Sequence, residues 1–289
     1  MTTAAMPEVR TTTRSTAPLG RVLRSELRFM LRRPRTLVAL AALAFMPVIA
    51  GVSVAVAADS MAGSRRDDLA GIAALVADNG LILPIFVLIL AMPMLLPLCG
   101  AMWSADALAG EAATGGLRNL LLAPMSRPRL LAVKAFGVAT MSLLAVTIMA
   151  VTGILAGIVF LGGEGMLTLS GTTMSFLGSL GRILLLTLLV TVQVWAVAAV
   201  ALAISSCTDH PLIVLAATTG GIVVFTVIGE IDALSWLHPI LLTDGWLALA
   251  DVVRDPLPTE NLAENALRAA CYILIGYSLA LARLTTRDG

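Results

Sequence analysis

Six apolar runs alternate with shorter polar segments along the chain, at residues 36–58, 81–102, 135–161, 182–206, 211–229 and 263–283. About 20 helical residues cross the hydrocarbon core of a bilayer, so this pattern predicts an all-α membrane protein with six transmembrane helices, together forming one domain over 35–284. Ahead of the first run the period changes. Leu19, Val22, Leu23, Leu27, Met30 and Leu31 recur at three- and four-residue steps, while Arg21, Arg24, Arg28 and Arg32 share the opposite face. Such a pattern predicts an N-terminal amphipathic interfacial helix over 19–34, lying on the inner membrane surface and ended near Pro34. It serves either as a lipid anchor or as a docking surface for a cytoplasmic partner. Residues 1–18, rich in Thr and carrying Pro7 and Pro18, show no period and are expected to be a disordered cytoplasmic tail.

Polar and imino residues inside the runs refine this picture. Pro84, Pro93 and Pro97 remove backbone donors from the second run and predict a kink. Either the kink reflects irregular packing, or it shapes a substrate cavity whose candidate residues are Phe86, Met92 and Met94, with Gln193 and Phe225 from the fourth and fifth runs. Gly153 and Gly157 favour close helix contact, within the bundle or between protomers. Residues 230–262 are apolar but too interrupted to span. Trp236 and Trp246 favour the headgroup level, so short re-entrant or interfacial helices broken at Pro239 and Gly245 are expected there, capping an outer cavity. Ala55-Val56-Ala57 resembles a cleavage site, but the run before it is too long for a secretory signal and is read as an uncleaved span.

Composition excludes a soluble protein: 58% of the chain is hydrophobic and 13% charged, with a mean hydropathy of +0.96, against about a quarter charged in soluble domains. The net charge of +1 hides an asymmetry. With the N-terminus inside, the inner segments hold fourteen basic residues and the outer segments only Arg65, Arg66, Arg182, Arg254 and Arg268, beside twelve acids. That bias places both termini in the cytoplasm of a multi-pass cell-membrane protein. Anionic lipid accounts for the basic face, with no nucleic-acid partner required.

Candidate chemistry is sparse. His210 and His238 fall on opposite sides, which leaves no metal site, and Cys99, Cys207 and Cys271 read as lipid-buried thiols. No G-x-S-x-G elbow occurs, since Gly178-Ser179-Leu180-Gly181 is a helix entry, and paired intramembrane aspartates are lacking, so no catalytic residue is assigned. The runs carry no ionisable residue away from their ends, which disfavours an ion-coupled carrier. Gln193, Trp195, Ser142, Thr147 and Thr152 are explained by helix-to-helix hydrogen bonds. Lys134, the one lysine, follows Val133 rather than glycine, so the chain has no phosphate-binding loop and no cofactor of its own.

The segment 103–134 is the most informative. Asp106 and Glu111 are expected on a short helix stopped at Gly115 and Gly116, followed by a second short helix from Leu117 to Leu122, then Pro124. Ser126 can cap the next helix, with Pro128 in its first turn, and Arg118, Arg127, Arg129 and Lys134 are expected at the headgroups. Here Glu111, Gly115, Leu117, Leu120, Leu121, Pro124, Ser126, Arg127 and Lys134 follow, in order, a pattern that resembles the membrane subunits of type 2 ABC exporters, the type V exporter fold. Gly116 stands where that family usually has Thr, and Val133 where Gly often precedes the Lys. The resemblance covers residues 19–284. It implies a cytoplasmic coupling helix, with Glu111, Thr114, Gly115, Arg118, Leu121, Pro124 and Arg127 engaging a separate ATPase subunit.

The expectation is therefore a permease subunit that is not itself an enzyme. It would pair with a second permease chain, identical or not, bind two ABC ATPase subunits that hold ATP and Mg, and export an amphipathic or hydrophobic drug, lipid or peptide by alternating access. A non-transporting assembly or signalling scaffold and an autonomous channel or carrier are the alternatives.

Overall fold

The computed structural model describes residues 19–61, 79–113, 126–162, 165–168 and 170–286. The tail at 1–18 and, within the coupling segment, Thr114, Gly115, Gly116, the expected short helix 117–122 with Arg118 and Leu121, and Pro124 lie outside the described residues.

Helix α1, Leu19–Leu31, follows the three-and-four period seen in the sequence. Pro34 does not merely stop it. The chain turns at Arg32 and Arg33, and Pro34 becomes the first residue of α2, Pro34–Met61, where its missing N–H needs no partner. Arg32 thus sits just past the end of the helix assigned to it.

The second apolar run is broken rather than kinked. A 3-10 turn at Gly80–Ile82 leads into α3, Leu83–Ala91, and after a break α4 covers Leu95–Ala107, bent by 57° from the first piece. The three prolines divide the work. Pro84 and Pro97 lie in the first turns of α3 and α4, where an N–H would be orphaned anyway. Pro93 occupies the break, beside Met94 at φ −142° and ψ −51°. A five-residue α5, Ala109–Ala113, follows almost without interruption.

Helix α6, Arg127–Leu161, is 35 residues long and begins eight residues before the apolar run it contains. Ser126 is in the extended N-cap conformation and Pro128 in the first turn, but the Ser126 side chain makes no capping bond. Its carbonyl instead accepts from the Leu130 N–H at 3.0 Å. Between α6 and α7, Phe176–Cys207, lies an antiparallel hairpin of β1, Met166–Leu167, and β2, Thr173–Met174. Nothing in the order of residues announces it, because two residues per strand are too few to show alternation. Helix α8, Pro211–Gly229, is followed by 3-10 turns at Asp232–Leu237 and Leu247–Val253, with Pro239 and Gly245 in the stretch between them. Helix α9, Thr259–Thr286, is the last described element.

Among the described residues five helices are long and apolar enough to cross a membrane, and six if the bent pair α3–α4 counts as one. Helix α9 lies along α7, α2 and α3 pack on α6, and α4 sits between α7 and α8. Leu88, Met92, Leu96, Trp103, Met141, Met149, Val190 and Val194 belong to one buried cluster. Small residues set the closest approaches. A Cβ on Gly153 would lie 2.8 Å from Pro84 Cα, one on Gly157 would collide with the Gly80 carbonyl, and one on Gly276 would lie 2.6 Å from the Ala199 carbonyl carbon. The Gly153–Gly157 spacing therefore serves contact inside the bundle.

Candidate coupling site

One cluster of charged residues lies around the two ends of segment 114–125. Glu111, on the helix entering that segment, forms an ion pair with Lys134, two turns into the helix leaving it. The same ammonium donates to both carboxylate oxygens of Glu26 on α1, at 2.9 and 3.1 Å. Lys134 is 3% exposed. It does not reach the headgroups as the sequence implied. Its two acidic partners come from different elements, so the long stem is held inside and the charge is met there.

A second pair lies on the α4 side. Asp106, buried at the end of α4, receives Arg35 at 2.9 Å and Arg33 at 3.2 Å. The Arg33 guanidinium also stacks 4.5 Å above the Phe29 ring. These contacts clamp the turn between α1 and α2 onto the end of the second span. A third contact reaches the last helix: Arg127, the first residue of α6, donates to the Leu284 carbonyl at 2.6 Å and to that of Thr285 at 3.4 Å. Those carbonyls are at the C-terminal end of α9, where a helix carries partial negative charge and leaves acceptors free. Arg127 is thus bound to the end of α9.

Electrostatics of the cluster are dominated by burial. Desolvation pushes the Glu111 carboxyl above its ordinary range, Lys134 pulls it back down, and the like charge of Glu26 raises it again. Arg33 adds a smaller downward pull on the same carboxyl.

The structure brings Glu111 and Arg127 to the same end of the bundle, on the two sides of segment 114–125. Arg21, Arg24 and Arg28 are exposed along α1, whose opposite side buries Met30 and packs Leu27 against the core cluster. That inward face touches α6, where a Cβ on Gly137 would lie 2.9 Å from Met30 Sδ. The apolar stripe of α1 therefore faces protein over part of its length.

The five cavity candidates are not brought together. Met92 is fully buried in the core, while Phe86 and Met94 are exposed on the surface. Gln193 is occupied: its amide nitrogen donates to Asn265 Oδ1 at 2.8 Å, and its oxygen accepts from Trp246 Nε1 at 3.3 Å. Asn265 in turn donates to the Gly245 carbonyl. Phe225 is half-buried on α8. A cavity of about 580 Å³ lies elsewhere, between α7 and α9.

Sequence reasoning missed Glu26, Arg33, Arg35, Asp106 as an ion-pair partner, and Asn265. A signal existed for some of them: Glu26 falls on the apolar face of α1, between Val22 and Met30, and an acid there or at the inner end of an apolar run needs a cation nearby. Asn265 gave none.

A family model described as ABC-2 family transporter protein matches residues 21–244, well over half of the chain. No curated protein matches it.

Proposed function

Since the chain belongs to the ABC-2 family of transporter proteins and is the membrane permease component of an ABC transporter, we propose that it is an exporter subunit driven by separate ATPase subunits on its cytoplasmic face. It pairs with a second permease chain in the cell membrane, with both termini inside, and each half engages one ATPase subunit. Cargo is amphipathic or hydrophobic.

The observation that carries this reading is the bridging of segment 114–125. Its entry helix is tied through Glu111 to Lys134 on its exit helix, and through Lys134 to Glu26 on α1. Asp106 links α4 to the start of α2, and Arg127 links α6 to the end of α9. A force applied to the segment is passed to four of the spans instead of being absorbed by bending of a loop. ATP-driven closure of the partners would tilt the bundle through these contacts. The partners can shift the equilibrium only by as much as they bind its two states differently.

On this reading Thr114, Gly115, Arg118, Leu121 and Pro124 form the surface that enters the ATPase cleft, Glu111 and Arg127 are its supports, and Arg21, Arg24, Arg28 and Arg32 hold α1 beside it at the headgroups. The test is reconstitution with the partner ATPase in vesicles. Arg118→Ala should weaken binding of the ATPase, whereas Glu111→Ala and Arg127→Ala should keep binding but lower transport per ATP hydrolysed. Wild-type transport and wild-type stimulation of hydrolysis in all three would remove the lever assignment.

A further inference from the structure

The geometry points to a binding site for a cationic amphiphile in the groove between α7 and α9, with its charged head at the segment that joins α8 to α9. This deepens the proposed function by naming a cargo class, and it rests on that reading for its transport role, though not for binding.

The groove has a volume of about 580 Å³. Val200 and Ile204 of α7 and Ile275 and Leu279 of α9 form its apolar walls. From Arg268 to Leu279 it follows about 16 Å of helix at 1.5 Å per residue, enough for an extended apolar chain lying parallel to the lipid tails. At its Arg268 end it adjoins a second, polar cavity of about 300 Å³, and the two share Pro239, Glu264 and Arg268. Taken together the two spaces are amphipathic.

Charge decides the sign of the head group. Asp244 and Glu264 face one guanidinium: Arg268 lies 3.4 Å from each. Arg268 also donates to the Leu241 carbonyl at 2.9 Å and is only 12% exposed. An incoming anion would find this guanidinium committed and two carboxylates beside it. A cation finds Glu264 at 67% exposure with a carboxylate turned to solvent. His238, 3.9 Å from Asp244, lines the same polar cavity. Lipid tails are as apolar as the groove walls, so selectivity must come from this charge, not from apolar burial.

The test uses the full chain, carrying Cys207→Ser, in nanodiscs of uncharged lipid, without ATPase. Cys271 lines the groove and Cys99 is buried, so alkylation by N-ethylmaleimide reports on groove occupancy. The probes are trimethylammonium-diphenylhexatriene and the propionate of the same rod, of opposite charge. The cationic rod should slow alkylation of Cys271 and quench tryptophan emission by energy transfer, and the anionic rod should do neither beyond its partition into lipid. Asp244→Asn with Glu264→Gln should raise the half-protecting concentration about tenfold, the loss of roughly one weak ion pair. Equal effects of the two rods, or an unchanged response in the carboxamide variant, would overturn the proposal and leave the groove a lipid-contact surface. Either result leaves the ATPase reading standing, and failed ATPase coupling leaves the binding result standing.

Discussion

Replacing Lys134 with Met keeps the length and the apolar stem of the side chain and removes its charge. In the native protein this ammonium faces Glu26 and Glu111, whose side chains are 13% and 11% exposed. Without it two carboxylates are left near one another at low exposure, with the weaker pull of Arg33 as the remaining offset at Glu111. Breaking a buried pair by removing one partner costs about 3–5 kcal/mol, and the second acid keeps the expected loss near the upper end. The loss depends on pH, and its sign follows from Glu111. Its carboxyl is already raised above the ordinary range by burial, with Lys134 pulling it down, Glu26 pushing it up and Arg33 adding a smaller downward pull. Deleting Lys134 removes the larger downward pull, so the folded-state value climbs further. A carboxyl whose folded value exceeds its unfolded value contributes stability below the unfolded value and loses it as pH rises through the folded one. Lys134→Met should thus be close to wild type in mildly acidic buffer and increasingly unstable toward neutral pH and above. Denaturant unfolding in nanodiscs, followed by tryptophan emission over that range, measures this directly. The unique lysine adds a wild-type control, because an amine-reactive dye should label it only after the cluster opens. Glu26→Gln and Glu111→Gln added to Lys134→Met should restore most of the stability, since neutral amides of the same shape need no counter-charge. A deficit below about 0.5 kcal/mol, the scatter of ordinary surface substitutions, or one that does not vary with pH, would refute the reasoning.

Two further outcomes test the packing. Gly157→Ala puts a methyl into the Gly80 carbonyl and should cost about 1–3 kcal/mol as an overpacked contact, whereas Gly220→Ala, with open space around its Cβ position, should be neutral or slightly stabilising on α8; thermal unfolding of the two in parallel separates them. Asn265→Leu takes one acceptor from the Gln193 amide, which keeps the Asn265 backbone carbonyl at 3.1 Å, strands the Gly245 carbonyl, and should cost about 1–3 kcal/mol, while Gln193→Leu with Asn265→Leu should cost less than the sum of the single changes, as read by a double-mutant cycle.

How far these features were legible depended on their length. Runs of twenty apolar residues announce themselves, because no other environment tolerates them, and the period of α1 was plain for the same reason: each turn repeats the signal. The break at Pro93 was legible as a disturbance but not as a bend of 57°, since three prolines offered three places for it and only the first-turn positions of Pro84 and Pro97 exempt two of them. Lys134 was misplaced. A lysine just outside an apolar run ordinarily extends toward water, and nothing local reveals that Glu26, 108 residues earlier, will lie beside it. Gln193 was noticed as polar within a span, yet its partners Asn265 and Trp246 come from segments 72 and 53 residues away.

From its order of residues alone this chain was bound to be a helical membrane protein, with a basic end and an acidic end and a glycine- and proline-marked segment between the second and third spans. Those properties belong to single segments meeting lipid or water, and each segment carries its own share of the free energy. Which acid meets which base, which glycine admits which backbone, and where a groove remains between α7 and α9 were decided only when the helices packed. These depend on distances between residues far apart in the chain. The energy of a buried ion pair or a close helix crossing exists only once both partners are in place.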